Sequence, residues 1–376
     1  MNITTESQQE VWHDLQKPGA YEWWYFDAED KVRGISVVLI WYSGFPFSPY
    51  YMQRYDEWKR SGSKAMPLPS EHAGFSFQLY EQGRETLNFI REGGLGLFHA
   101  DREGIGIGFE NNRFSYDKES DEYRLDIDFS FPSRNRQVRA GLLFRTCRRV
   151  CYAKKDRNSV EPGSCHQWLL SVPKADVSGF IDITGENGGG SRHIGFSGDG
   201  YHDHNLGTMP MQEYISRWYW GRAFSDRYDL IYYMVFFRNG GFRPLSLLML
   251  HDNMEEKSSV IDSLQFNERD YAVGLFSPPH GRTLELFSSD ASVTISQKKA
   301  LDAGPFYLRF ASNISLRIGG EQLNGISGIS EYLNPVRLQS RFMRFFTRSR
   351  VWREGQPSFM YDSYNYFKGR SDWFKR

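Results

Sequence analysis

The chain has 376 residues, 40% of them hydrophobic and 24% charged, a globular make-up with room for two domains and not that of a disordered polymer. Lysine plus arginine equals aspartate plus glutamate at 46 each, so net charge gives no basis for a nucleic-acid partner, and none is expected. Aromatic residues reach 16%, which points to a β-rich protein or a large apolar cavity.

The N-terminal stretch MNITTESQQEVWHDL is polar and lacks the apolar run of a secretory leader. The three cysteines, Cys147, Cys151 and Cys165, lack paired CxxC spacing and read as reduced thiols, so a cytoplasmic location is expected. YEWWYFDAED (21–30) reads as a strand with Glu22, Trp24 and Phe26 on one face and Trp23, Tyr25 and Asp27 on the other. Its aromatics either seal the end of a barrel or wall a site for a long apolar ligand, with Trp24 as the candidate contact. GISVVLIWY (34–42) is a more continuously apolar strand, and FSFQLYEQGRETLNFI (75–90) is a hairpin turning near Gln82-Gly83. YRLDIDFSF (123–131) alternates cleanly, Tyr123, Leu125, Ile127, Phe129 and Phe131 against Arg124, Asp126, Asp128 and Ser130, and closes a hairpin with a charged tip.

HQWLLSVPKADVSGFIDI (166–183) is an apolar strand broken at Pro173, with Trp168 its large aromatic before Phe180. ENGGG (186–190) is the expected boundary between a domain of residues 1–185 and one of residues 186–376. RWYWGRAF (217–224) places Trp218, Trp220, Arg222 and Phe224 on one face, where Arg222 either packs over rings or orients a carboxylate such as Asp203. LIYYMVFFRNGGFRPLSLLML (230–250) is a hairpin turning at Asn239-Gly240, and further short strands follow. VRLQSRFMRFFTRSRVWR (336–353) spaces Leu338, Phe342, Phe345 and Phe346 as one helical stripe beside arginines. Such a helix packs on the barrel or lies on an anionic membrane surface, so peripheral membrane contact is an expectation for this segment. GIGIGF (104–109) is neither a dinucleotide fingerprint nor a phosphate loop, and no cofactor motif appears.

GYHDHNLG (200–207) concentrates the chemistry. In an extended chain Tyr201, Asp203 and Asn205 point one way and His202 and His204 the other. Three readings compete: a metal site drawing on His166, His193 or Glu213, a structural turn, or a catalytic aspartate supported by the histidines. No metal is expected, and the third reading is preferred.

EWWYFDAED, GYHDHNLG, WYWGRAF and GISEYLNPVRL (328–338), in that order across nearly the whole chain, resemble the carotenoid 1,2-hydratase (hydroxyneurosporene synthase) family, whose relatives include lipocalin-like bacterial proteins and fungal pericyclases. The resemblance implies an all-β fold of two lipocalin-like domains in tandem with a C-terminal helix, and a ligand pocket at or near their junction. It implies a cofactor-independent hydratase that adds water to a terminal alkene of a polyene or isoprenoid, with Asp203 as the proton donor. Tyr201 and His202 join Asp203 as catalytic candidates; Trp24, Trp168, Asn205, His204, Trp218, Trp220 and Arg222 are candidates for holding the substrate. A pericyclase acting on a linear polyene and a carrier of an apolar ligand are the alternatives. The family usually has Trp where this chain has Leu206, which removes an aromatic expected close to the site.

Overall fold

The computed structural model describes residues 1–6, 9–62, 65–101, 104–132, 135–154, 166–186, 190–239, 243–262, 264–274, 277–356, 358 and 361. Among them the strands form two curled, largely antiparallel sheets, one of 14 strands and one of nine. This is the all-β, lipocalin-like architecture expected, with a short C-terminal helix. One compact unit comprises residues 1–210 and the chain from 345 onward; the other is Met211–Arg344.

The division does not fall at ENGGG. The strands His166–Glu186 and Gly190–Gly207 pair along almost their whole lengths, with Glu186 opposite Gly190, so both flanks of ENGGG belong to the first sheet, while residues 187–189 lie outside the described residues. Pro173 does not end its strand either: pairing continues past it, with register shifts between Leu169 and Val172 and between Val172 and Ala175 that absorb the missing donor.

The first core follows from period two. Phe26, Leu39, Phe77 and Phe89 lie side by side on neighbouring strands and all enter one buried cluster. The turn at Gln82-Gly83 has φ of 49° and 67°, the left-handed pair that a two-residue hairpin turn of type I′ requires. On the opposite face of the same strands Asp27, Val38, Gln78 and Asn88 align, and these too are buried.

In the second unit Tyr219 and Ala223 point into a core with Leu230, Tyr232 and Leu248. Trp218, Trp220 and Arg222 occupy the other face of the Ile215–Ala223 strand and are buried as well. The hairpin of Tyr228–Phe237 with Leu245–Asp252 forms as the sequence predicts, although its Gly240 lies outside the described residues.

The 336–353 segment is not one amphipathic helix. A 3-10 turn, Pro335–Gln339, buries Leu338, and a separate helix, Arg341–Thr347, leaves Phe342 and Phe345 59% and 48% exposed. The break falls at Ser340, whose N–H closes the preceding turn on the Arg337 carbonyl. No described helix is long and apolar enough to cross a membrane.

Candidate active site

The strand Gly190–Gly207 is central in the first sheet, flanked by Tyr21–Asp30 and His166–Glu186. GYHDHNLG is therefore extended rather than a turn, and its two faces separate as period two requires. Asp203 stands opposite Tyr25, Tyr201 opposite Asp27, and Asn205 opposite both Trp23 and Trp168.

Three side chains converge on Asp203, which is 6% exposed. The Trp168 indole N–H donates to Oδ2 at 2.8 Å, the Tyr201 hydroxyl donates to Oδ2 at 2.7 Å, and the Asn205 amide donates to Oδ1 at 2.8 Å. An indole N–H can only donate, so Oδ2 is fixed as an acceptor and a proton on this acid belongs on Oδ1. There it meets Asn205, whose amide accepts when its oxygen is turned toward it.

His166, passed over by the sequence reading except as a metal ligand, shares the face of Trp168. It is fully buried, in contact with Tyr21, whose hydroxyl lies 3.0 Å from Nδ1, and 5.8 Å from the Trp23 ring. Burial, helped by the N-terminal ammonium, pushes its pKa down to about 3, so it is a neutral imidazole at physiological pH. The signal was present in HQW, where two strand positions place His166 and Trp168 on one face, but nothing in the sequence tied that strand to GYHDHNLG.

The histidines of GYHDHNLG do not support Asp203. His202 stacks on Phe26 with 3.7 Å between centroids, its Nδ1 lies 2.9 Å from the Tyr25 carbonyl and its Nε2 bonds Glu10. Nδ1 must donate to that carbonyl, so a proton is shared between Nε2 and the Glu10 carboxyl. Burial works against ionising Glu10, but His202 and the Tyr123 hydroxyl, which donates at 2.7 Å, outweigh it and hold the acid below its ordinary value. His204 stacks on Trp24 at 4.7 Å and donates to Glu22 at 2.8 Å, while His13 bonds the same carboxylate at 2.7 Å. Burial depresses His204; the hydrogen bond to Glu22 raises His13.

Trp24 is thus a core residue: it packs on His204 and donates its indole N–H to the Glu10 carbonyl. Trp23, one residue earlier, stands on the Asp203 face in its place. Leu206 pairs with Glu22 on the histidine side, so the aromatic it lacks is missing from the opposite face to Asp203. Trp218, Trp220 and Arg222 belong to the second unit, where the Arg222 guanidinium lies 4.7 Å over the Phe224 ring.

His13, Glu22 and His204 bring ligand atoms within 4.8 Å of one another, a set able to hold a metal ion. The Glu22 contacts of 2.7 and 2.8 Å are those of hydrogen bonds, whereas a tetrahedral zinc with bonds near 2.0–2.1 Å would spread the same atoms to about 3.3 Å. As for the other ligands considered, His193 bonds Asp182 on an exposed strand face and Glu213 lies in the second unit.

The family model "Carotenoid hydratase CrtC" matches residues 39–360. A protein of Chlorobaculum tepidum named hydroxyneurosporene dehydrogenase is 54% identical over 370 residues, covering 98% of this chain and 97% of that one. The acyclic carotenoid 1,2-hydratase of Rubrivivax gelatinosus is 26% identical over 245 residues; the match spans 64% of this chain and 54% of the relative. Among solved structures, CghA with Sch210972 superposes with a TM-score of 0.57 at 14% identity, covering 84% of this chain and 89% of that one. Kievitone hydratase from Nectria haematococca superposes with a TM-score of 0.52 at 11% identity, covering 89% and 96%. At such identities the structures speak for the fold alone.

Proposed function

Because this chain belongs to the CrtC carotenoid hydratase family, we propose that it adds water to a terminal trisubstituted alkene of an acyclic polyene, with Asp203 as the proton donor. The observation that carries the reading is the buried Asp203 carboxyl held by Trp168, Tyr201 and Asn205 on a face lined by Trp23 and Tyr25.

Protonating an alkene carbon leaves a tertiary cation. The π faces of Trp168 and Tyr201 stabilise that charge by about 2 kcal/mol when water is excluded. His166, neutral by burial, adds no competing positive charge. His202 and His204 are kept for the core, where they pin the N-terminal segment through Glu10 and Glu22.

Asp203→Asn keeps the size and neighbours of the side chain and removes the acid. The expected result is loss of alcohol product from an acyclic carotenoid, while wild-type enzyme in ¹⁸O-labelled water places the label in the product. A product of unchanged mass would reject hydration in favour of cyclisation on the same face, and unchanged ligand would leave a carrier.

A further inference from the structure

We propose that Asp27 is the second catalytic carboxylate of this site, the base that takes a proton from the attacking water. The inference rests on the hydratase reading of Asp203.

The Tyr21–Asp30 and Gly190–Gly207 strands carry the same short pattern, Tyr25-Phe26-Asp27 on one and Tyr201-His202-Asp203 on the other. The strands are antiparallel, and the register places Tyr25 opposite Asp203 and Tyr201 opposite Asp27. In each pattern the tyrosine donates to the acid two residues on: Tyr25 to Asp27 Oδ2 at 3.0 Å and Tyr201 to Asp203 Oδ2 at 2.7 Å. The Tyr25 and Tyr201 rings meet edge to face, 6.1 Å between centroids. The result is a local two-fold arrangement with two buried aspartates on one sheet face. Middle residues Phe26 and His202 stack on each other on the core side and lock the register.

Diagonal neighbours on an antiparallel pair lie about 7–8 Å apart. Carboxyl groups carried on such diagonal positions of one face can hold a water between them, the principle that lets paired carboxylates deliver water from one side while protonating from the other. Asp27 is fully buried, on the sheet face opposite the Phe26 cluster and the same one as Asp203.

The step balances without a co-reactant. The alkene π pair forms a C–H bond with the proton on Asp203, leaving a tertiary cation and the Asp203 anion. A lone pair of water forms the C–O bond, and the proton released from that water goes to Asp27. Proton return from Asp27 to Asp203 through solvent restores both groups, for a net addition of one water.

The test separates protonation from hydration. In D₂O, with an acyclic carotenoid in detergent micelles, protonation followed by collapse of the cation back to the alkene leaves deuterium in recovered substrate. Asp27→Asn is expected to lower alcohol formation by about 100-fold or more yet still exchange deuterium into substrate. Asp203→Asn is expected to lose both. Tyr25→Phe, a milder change, is expected to slow hydration about tenfold with exchange retained, and it serves if Asp27→Asn fails to fold. Full hydration by Asp27→Asn overturns the proposal while leaving the hydratase reading intact. Loss of both signals in a folded Asp27→Asn, judged by its urea midpoint, also overturns it. Exchange by Asp203→Asn would reverse the two roles and refute both assignments.

Discussion

His166 shows how burial sets the chemistry of one side chain. Its pKa falls to about 3, so the unfolded chain takes up a proton as pH drops below the ordinary 6.5 while the folded chain does not until near 3. Stability from this group is therefore complete above pH 6.5 and drains as pH falls, at about 1.4 kcal/mol per pH unit. His204 is depressed in the same direction, and His13 is raised and opposes it. The informative quantity is the difference between proteins: from pH 7 to 5.5 the wild type should lose about 1–2 kcal/mol more than His166→Asn in urea melts. Equal losses would show that the imidazole is hydrated in solution. A neutral His166 also suits the proposed hydration, which passes through a carbocation.

At the scale of the strand, Gly200 explains why the GYHDHNLG motif opens on glycine. A Cβ there would stand 2.4 Å from Val177 Cγ2 and 2.7 Å from Phe144 Cε1, both in the first core. Gly200→Ala is expected to cost about 1–3 kcal/mol through overpacking, lowering the urea midpoint with an unchanged m-value. What the sequence could say of this strand was its alternation, which correctly set Asp203 with Tyr201 and Asn205 and the two histidines apart. It could not say which strands lie beside it. Trp168 reaches Asp203 only because residues 168 and 205 are paired, and Asp27 stands opposite Tyr201 only through a register that links positions far apart in the chain. The same ignorance of partners put Trp24 on the ligand side: either face of a strand with aromatics on both sides looks equally suited, and Glu10 and His204 decide between them. The boundary at ENGGG differs for a related reason, since a glycine-rich stretch reads the same between two paired strands as between two domains.

For the molecule as a whole, the chain must collect an apolar substrate from wherever it is dissolved. Phe342 and Phe345 stand exposed on a short helix beside Arg341 and Arg348, an apolar and cationic combination suited to an anionic bilayer surface. Vesicles containing anionic lipid should sediment the protein at low salt, and Phe342→Ser with Phe345→Ser should weaken that binding by about tenfold. Retention of binding by the double variant would move the contact elsewhere.

The bond between Glu10 and His202 joins positions 192 residues apart. A nascent chain exposes Glu10 almost at once, yet its imidazole is translated only after more than half of the polypeptide has been made. Until then the Tyr21–Asp30 strand can pair with Ile35–Ser43 on one side but has no neighbour on the other, and the first sheet cannot complete its centre. Contacts of such long range slow folding, because loop closure precedes any gain in burial. The residues packed behind the GYHDHNLG strand thus make this unit a late folder on the ribosome, with one edge of its aromatic N-terminal strand open until the HDH segment arrives.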